Sequence, residues 1–340
     1  MDTFRKIVAG ICAVLFVISG VAALLAFNIE KKAFTAVTYQ QAFESQNLYV
    51  RMPEILANAL HTSIAENANA NPNLKPLTVE DWQATVNSLL PPEELKTLTD
   101  DTLNSVVAYV NGNADSAVIS LLPLKKHLLS PSGVDVVKQI LRVQPACTAE
   151  QLLQLGLGLL KGNVGLCNPP EQLMGLITPL IESQLQVMTI AIPDEVTLIS
   201  GARSNTPNDP RIKLNRVRAL MKTAPFFPLF FLFVISVFAI RNLLDWLKWW
   251  GYPFFIIGVL TLLMTLFGSP IIDSLVQHAF QSQGLAFMPL VLLPMIQETT
   301  NAVTSQILKP VVIEGLIFTL LGLGMISVLI WHSLSNKGRV

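Results

Sequence analysis

The residues with most capacity for chemistry in this 340-residue chain are four histidines, three cysteines and a few paired acids. His61, His127, His278 and His332 stand far apart. None has the second histidine one turn away that a metal-binding helix of the His-Glu-x-x-His kind requires. Glu93-Glu94 and Asp100-Asp101 fall where helices begin. There a carboxylate offsets the partial positive charge of the exposed backbone N–H groups, which explains them better than acid–base work does. Gly156-Leu-Gly158 lacks the lysine and the preceding strand of a phosphate loop, and no Gly-x-Ser-x-Gly elbow occurs. The expectation is therefore a protein that is not an enzyme, with no catalytic residues, no metal and no cofactor.

Cys147 and Cys167 carry more meaning. They flank one expected helix, each beside a helix start, and no Cys-x-x-Cys pair points to zinc. In an oxidising compartment a bridge between them would close a hairpin. Glu314 is the other residue of interest. It sits just inside an apolar run, where a carboxylate is costly and marks a candidate site, and Lys309 before it is the expected partner. A basic stretch, Arg211, Lys213, Arg216, Arg218 and Lys222, has no acid within it and suits contact with lipid head groups.

These residues must be positioned by elements that composition restricts strongly. The chain is 51% hydrophobic and only 14% charged, with a mean hydropathy of +0.52. Soluble domains carry about 25% charged residues, so an integral membrane protein is expected. The net charge is zero, which gives no electrostatic footprint for nucleic acid. No Asn-x-Ser/Thr sequon occurs, which favours a bacterial source.

Residues 7–27 are uncharged, follow Arg5 and Lys6, and are long enough to cross a bilayer core of about 30 Å. Their apolar length exceeds that of a signal peptide, which favours a retained anchor. The same helix is expected to continue through residues 28–52 as a stalk, bent at Pro53. Punctuated short helices then follow. Thr78 looks like an N-terminal cap followed by acids in the first turn, Thr148 looks like a capping-box start, and Pro92 and Pro170 suit the opening of helices. Asp115 is read as the start of a helix running to Ser130, and Val196–Ser200 as one short strand. His127, next to Lys125 and Lys126, is read on a solvated face.

The expected architecture is all-α, with four transmembrane helices and a mostly helical extracytoplasmic domain between the first two. The divisions are 1–27 (tail and span 1), 28–222 (outer domain) and 223–250 (span 2 and a cytoplasmic elbow). Then come 251–268 (span 3), 269–310 (an outer loop with interfacial helices) and 311–340 (span 4 and tail). Both termini are placed in the cytoplasm of a cell membrane, because the short inner segments hold Arg5, Lys6, Arg241, Lys248, Lys337 and Arg339 against few acids.

The run through Trp82, Leu89-Leu-Pro-Pro92, Pro145-Ala-Cys-Thr148, Cys167-Asn-Pro-Pro170 and Ile192-Pro-Asp194 resembles a group of uncharacterised bacterial four-span membrane proteins. The order of spans is similar, in topology alone, to permease subunits of the MacB and FtsX class. The first resemblance implies no activity. The function expected is an envelope-facing binding, scaffold or sensory module that contacts membrane lipids, another membrane or envelope protein, or a second copy. The alternative is a permease-like subunit working with a separate ATPase.

Overall fold

The computed structural model describes residues 2–67, 77–152, 167–200, 210–282 and 293–337. Residues 68–76, 153–166 and 201–209 of the expected outer domain lie outside them. The described chain is all-α apart from one two-stranded sheet. Five of its helical stretches are long and apolar enough to cross a membrane: Phe4–Ala33, Glu171–Ala191, Arg211–Ala239, Leu243–Gly268 and Met295–Ser335. That is one more than the sequence reading counted.

The chain forms two compact units. The first takes the described residues of 1–42, 202–285 and 297–340; the second takes those of 43–201 and 286–296. The division does not fall where the sequence placed it. Residues 28–42 and 210–222 join the apolar helices rather than the intervening domain.

In the first unit, α1 (Asp2–Ala33) packs against α10 (Phe226–Ala239) and α11 (Leu243–Ser282). Phe16, Val21, Ile235 and Ile257 form the buried centre, with Phe254 and Phe318 against them. α12 (Leu293–Lys337) lies close along α11, and glycines make that approach possible. A side chain at Gly258 would strike Thr319, and one at Gly322 would strike the backbone of Phe255. On the other side of α11, Ile257 fills the space over Gly20 of α1. Small residues at such seams let apolar helices gain close contact.

Several expected boundaries change here. The stalk is not one helix: α1 ends at Ala33, α2 covers Ala36–Ser45 and α3 covers Leu48–Asn67. The first break is held by Thr35, whose hydroxyl and N–H bond back to Lys31 and Lys32 carbonyls. The second falls at Asn47, whose φ of 49° is one that Asn tolerates better than most residues. Pro53, expected to bend this stretch, lies fully buried near the start of α3. The second apolar stretch starts and ends earlier than the 223–244 expected, covering Arg211–Ala239. α9 (Pro210–Thr223) and α10 are separated at Ala224-Pro225, because Pro225 has no N–H to continue the ladder. The elbow 241–250 is not a separate element: from Leu243 on it is the first part of α11. There Trp246, Trp250 and Phe254 stack at successive turns, with centroids 5.3 and 5.7 Å apart. The segment 269–310 is no loop over its described parts, since α11 runs on to Ser282 and α12 begins at Leu293 and passes through Pro310.

The second unit is built on α4 (Val79–Leu89), α5 (Pro92–Val110), α6 (Leu122–Leu128), α7 (Pro131–Val143) and α8 (Glu171–Ala191), together with α3. The expected cap at Thr78 forms, as a full capping box, and so does the capping box at Thr148. Thr78 and Asp81 exchange side-chain and backbone bonds at 3.2 and 3.1 Å, and Thr148 and Gln151 do so at 3.2 and 2.9 Å. α8 buries Ile177, Ile181, Leu185 and Thr189, one residue per turn, and its apolar stripe meets Val134 and Leu141 of α7. The helix expected from Asp115 is instead β1 (Ser116–Ser120), followed by α6. β1 pairs antiparallel with β2 (Glu195–Ser200), Ser116 opposite Ser200 and Ser120 opposite Glu195. The β-branched Val118 and Ile119 suit the strand. The expected strand 196–200 lies within β2.

Candidate functional site

Glu314 faces protein. Its carboxylate accepts a 2.7 Å hydrogen bond from Nδ2 of Asn28, which also donates to the Leu24 carbonyl at 2.9 Å. Asn28 is 4% exposed. This contact ties α1 to α12 and crosses 286 residues of sequence. The expected partner is not used: Lys309 is exposed and makes no ion pair with Glu314.

Two residues beyond Asn28, the Glu30 carboxylate is also buried and receives two residues of the basic stretch. Arg218 Nη2 lies 3.2 Å from its Oε1, and Lys222 Nζ lies 3.4 Å from the same atom. The Arg218 guanidinium stacks 4.2 Å over the Phe34 ring, and Lys31 stands 4.2 Å over Phe27. Taking a carboxylate out of water is tolerable only with such partners. The expected basic set thus divides. Arg218 and Lys222 hold Glu30 and Arg211 is buried, while Lys213 and Arg216 are exposed. Asn28 and Glu30 went unread because they follow the uncharged run directly and looked like its boundary. The signal was there: two polar residues two apart, continuing the helix without a break.

Beside this polar contact lies a cleft of about 380 Å³. Phe16, Gly20, Ala23, Leu24 and Phe27 of α1 form one wall, and Pro225, Pro228, Leu229 and Leu232 face them. At one end Phe254 packs on Phe16 with centroids 5.8 Å apart, and Phe318 packs on Phe254 at 5.4 Å. Glu314 is the one ionisable group in its lining.

The second unit holds its own groove, about 610 Å³, between the α6–α7 corner and α8. Leu128, Pro131, Val134 and Leu185 give it an apolar base, and Asp135, Lys138, Glu182 and Gln186 supply charge and hydrogen-bonding groups of both kinds. Behind it, Cys147 and Cys167 are at disulfide-bonding distance, as expected, with Cys167 buried against the α7–α8 core. His127 is not solvated as expected. Its Nε2 lies 2.7 Å from the Ser88 carbonyl, so that nitrogen carries the proton and the ring serves packing.

Elsewhere in this unit, Lys96 bridges Asp100 and Glu44, both at 2.7 Å, and Tyr49 donates to Asp100 at 3.0 Å. Hydrogen bonds to Asp100 and then Glu44 raise the Lys96 ammonium above its ordinary value. Burial, followed by the bond to Asp100, raises the Tyr49 phenol. Both groups keep their protons at any physiological pH, so the cluster is a fixed clamp between α3 and α5. Among the described residues, no three His, Cys, Asp or Glu side chains converge as a metal site would require.

Comparison with known proteins adds no relative: no family model, no curated protein and no solved structure matches the chain.

Proposed function

We propose that this is a four-span integral membrane protein acting as a binding or scaffold module. Its second unit lies on the outer side of the membrane and both termini lie in the cytoplasm. α8 is the membrane-length helix excluded from the count of spans. It carries Glu171, Glu182 and a proline at 179, and it spends its apolar stripe on α7 within a core. The observation that carries the function is the groove between the α6–α7 corner and α8. An apolar base edged by Asp135, Lys138, Glu182 and Gln186 is the composition of a recognition surface, where the base supplies burial and the edge sets register. The ligand class it suits is an amphipathic segment of another membrane or envelope protein, or of a second copy.

The test is site-specific photocrosslinking in cells. A photoreactive residue replacing Gln186, inside the groove, is expected to capture one defined protein partner. The same residue at Ser183, which is exposed and outside the groove lining, is expected to capture none. Equal capture at both positions refutes the groove.

A second reading is a permease-like subunit paired with a separate ATPase. The contact of Glu314 with Asn28 beside an apolar cleft favours it, because an ionisable residue inside a span often marks a pathway. Stoichiometric co-purification of an ATPase with the full chain would replace the scaffold reading with this one.

A further inference from the structure

We infer that the cleft beside Glu314 is a phospholipid site, holding one acyl chain against α1 with the phosphate at Lys31 and Lys222. This rests on the reading that the first unit spans a bilayer.

The shape comes first. Phe16, Gly20, Ala23, Leu24 and Phe27 fall on one stripe of α1. They run from Phe16 to Phe27, 11 steps along the helix, or about 16 Å at 1.5 Å per residue. Ile257 packs over Gly20, the small Ala23 leaves the stripe low beyond it, and the rings of Phe16, Phe254 and Phe318 stop it at one end. A narrow apolar slot closed at one end admits a chain end.

Size then separates the occupants. A helix is about 10 Å across with its side chains, so 16 Å of it fills about 1,200 Å³. The cleft offers about 380 Å³. A partner helix does not enter, whereas a single alkyl chain does. Water is a poor occupant too, since it needs two or more polar partners and Glu314 is the one ionisable group in an otherwise apolar lining.

Charge fixes the direction of the lipid. Phe27 and Pro225 line the cleft at the end away from Phe16, which we take as its mouth. Lys31 stands over the Phe27 ring, and Lys222 lies one turn before Pro225. Both lysines are exposed, and Lys222 keeps 60% of its side chain accessible while touching Glu30. Two cations at the mouth of an apolar slot complement a phosphate whose chain runs inward. Glu314, at the same level as Asn28, leaves room for a hydroxyl or ammonium of the head group but would repel a phosphate placed deeper. The phosphate therefore stays at the mouth.

The experiment uses the full chain, extracted in mild detergent, delipidated, and titrated with palmitoyl-oleoyl phosphatidylglycerol under native mass spectrometry. Wild type is expected to keep one lipid per chain. Leu229→Trp fills the cleft from a residue that is 59% exposed, and is expected to weaken retention about tenfold or more. Leu320→Trp, at a position 67% exposed and outside the lining, is expected to leave it unchanged. Lys31→Gln with Lys222→Gln should weaken phosphatidylglycerol several-fold but not diacylglycerol, which has no phosphate. Equal retention by wild type and Leu229→Trp overturns the proposal, as does equal loss in Leu320→Trp. Alkaline carbonate extraction of the source membranes separates the two failures. Protein that stays in the pellet but shows no cleft-dependent retention refutes the lipid site alone. Protein released to the supernatant refutes the membrane reading with it.

Discussion

The bond between Asn28 and Glu314 is the contact whose removal says most about the first unit. Asn28→Ala deletes a donor that is 2.7 Å from the carboxylate and 2.9 Å from the Leu24 carbonyl. The second loss is minor, because that carbonyl keeps its place in the helix ladder. The first leaves a carboxylate without its donor. A hydrogen bond to a charged acceptor contributes about 1.5–3 kcal/mol in water-soluble proteins. Interhelical bonds in membranes average about 0.6 kcal/mol and reach about 1.7. The short distance and the burial of Asn28 place this bond at the upper end of the membrane range. We expect Asn28→Ala to cost about 2 kcal/mol. Glu314→Leu should cost about 1, since Asn28 then still bonds Leu24. The double variant should cost about 1–1.5 kcal/mol less than the sum. Reversible unfolding of the purified chain in mixed micelles, with increasing dodecyl sulfate and circular dichroism as the readout, measures all four corners. Glu314→Gln is the mild control, because its amide oxygen still accepts from Asn28. Additivity of the two single costs within about 0.3–0.5 kcal/mol would refute the coupling and with it the claim that this bond joins α1 to α12.

The glycine seam makes a sharp contrast. Gly258→Val and Gly322→Val should each destabilise the first unit by about 1–3 kcal/mol through overpacking, whereas Gly324→Ala, with open space around it, should be nearly neutral in the same unfolding assay. Replacing Cys147 and Cys167 together by Ser should destabilise the second unit by about 3 kcal/mol, as expected for opening a loop of 20 residues. Limited proteolysis with and without reductant reads that loss. The alkaline limit follows from Tyr49 and Lys96. Their folded-state proton affinities are raised, so their stabilisation is complete below the unfolded values, about 10 for Tyr and 10.4 for Lys, and is lost as pH rises above them. Tyr49→Phe should flatten the loss of stability above pH of about 10, and ultraviolet titration should show Tyr49 ionising after the exposed tyrosines.

Much of the helical outline was legible in residues that act locally. Thr78 with Asp81 and Thr148 with Gln151 form their caps because the groups involved are three positions apart. The apolar runs announce membrane-length helices by composition alone. What escaped depends on distant partners. β1 is five residues long, and its pairing partner begins 75 positions after it ends, so Ser116–Ser120 carried no local signal strong enough to beat a helix. Gly268-Ser269-Pro270 and Trp249-Trp250-Gly251 read as interruptions, yet α11 passes through both. In the second, a ladder of stacked rings from Trp246 to Phe254 favours continuity over the local cost of glycine. The candidate site failed in the same way. Glu314 was visible as an odd charge in an apolar run, but its partner is 286 residues away and no spacing rule reaches that far.

The bridge between Cys147 and Cys167 also changes what cutting the chain would do. Any single cleavage between them yields two fragments that stay joined through sulfur. The core built from Val134, Leu141, Ile177 and Ile181 would therefore keep both of its contributors after the backbone is severed. The nick would become visible, as two separate bands, only when a reductant is added. A protein carrying such a cut can pass through purification as intact while already being two chains.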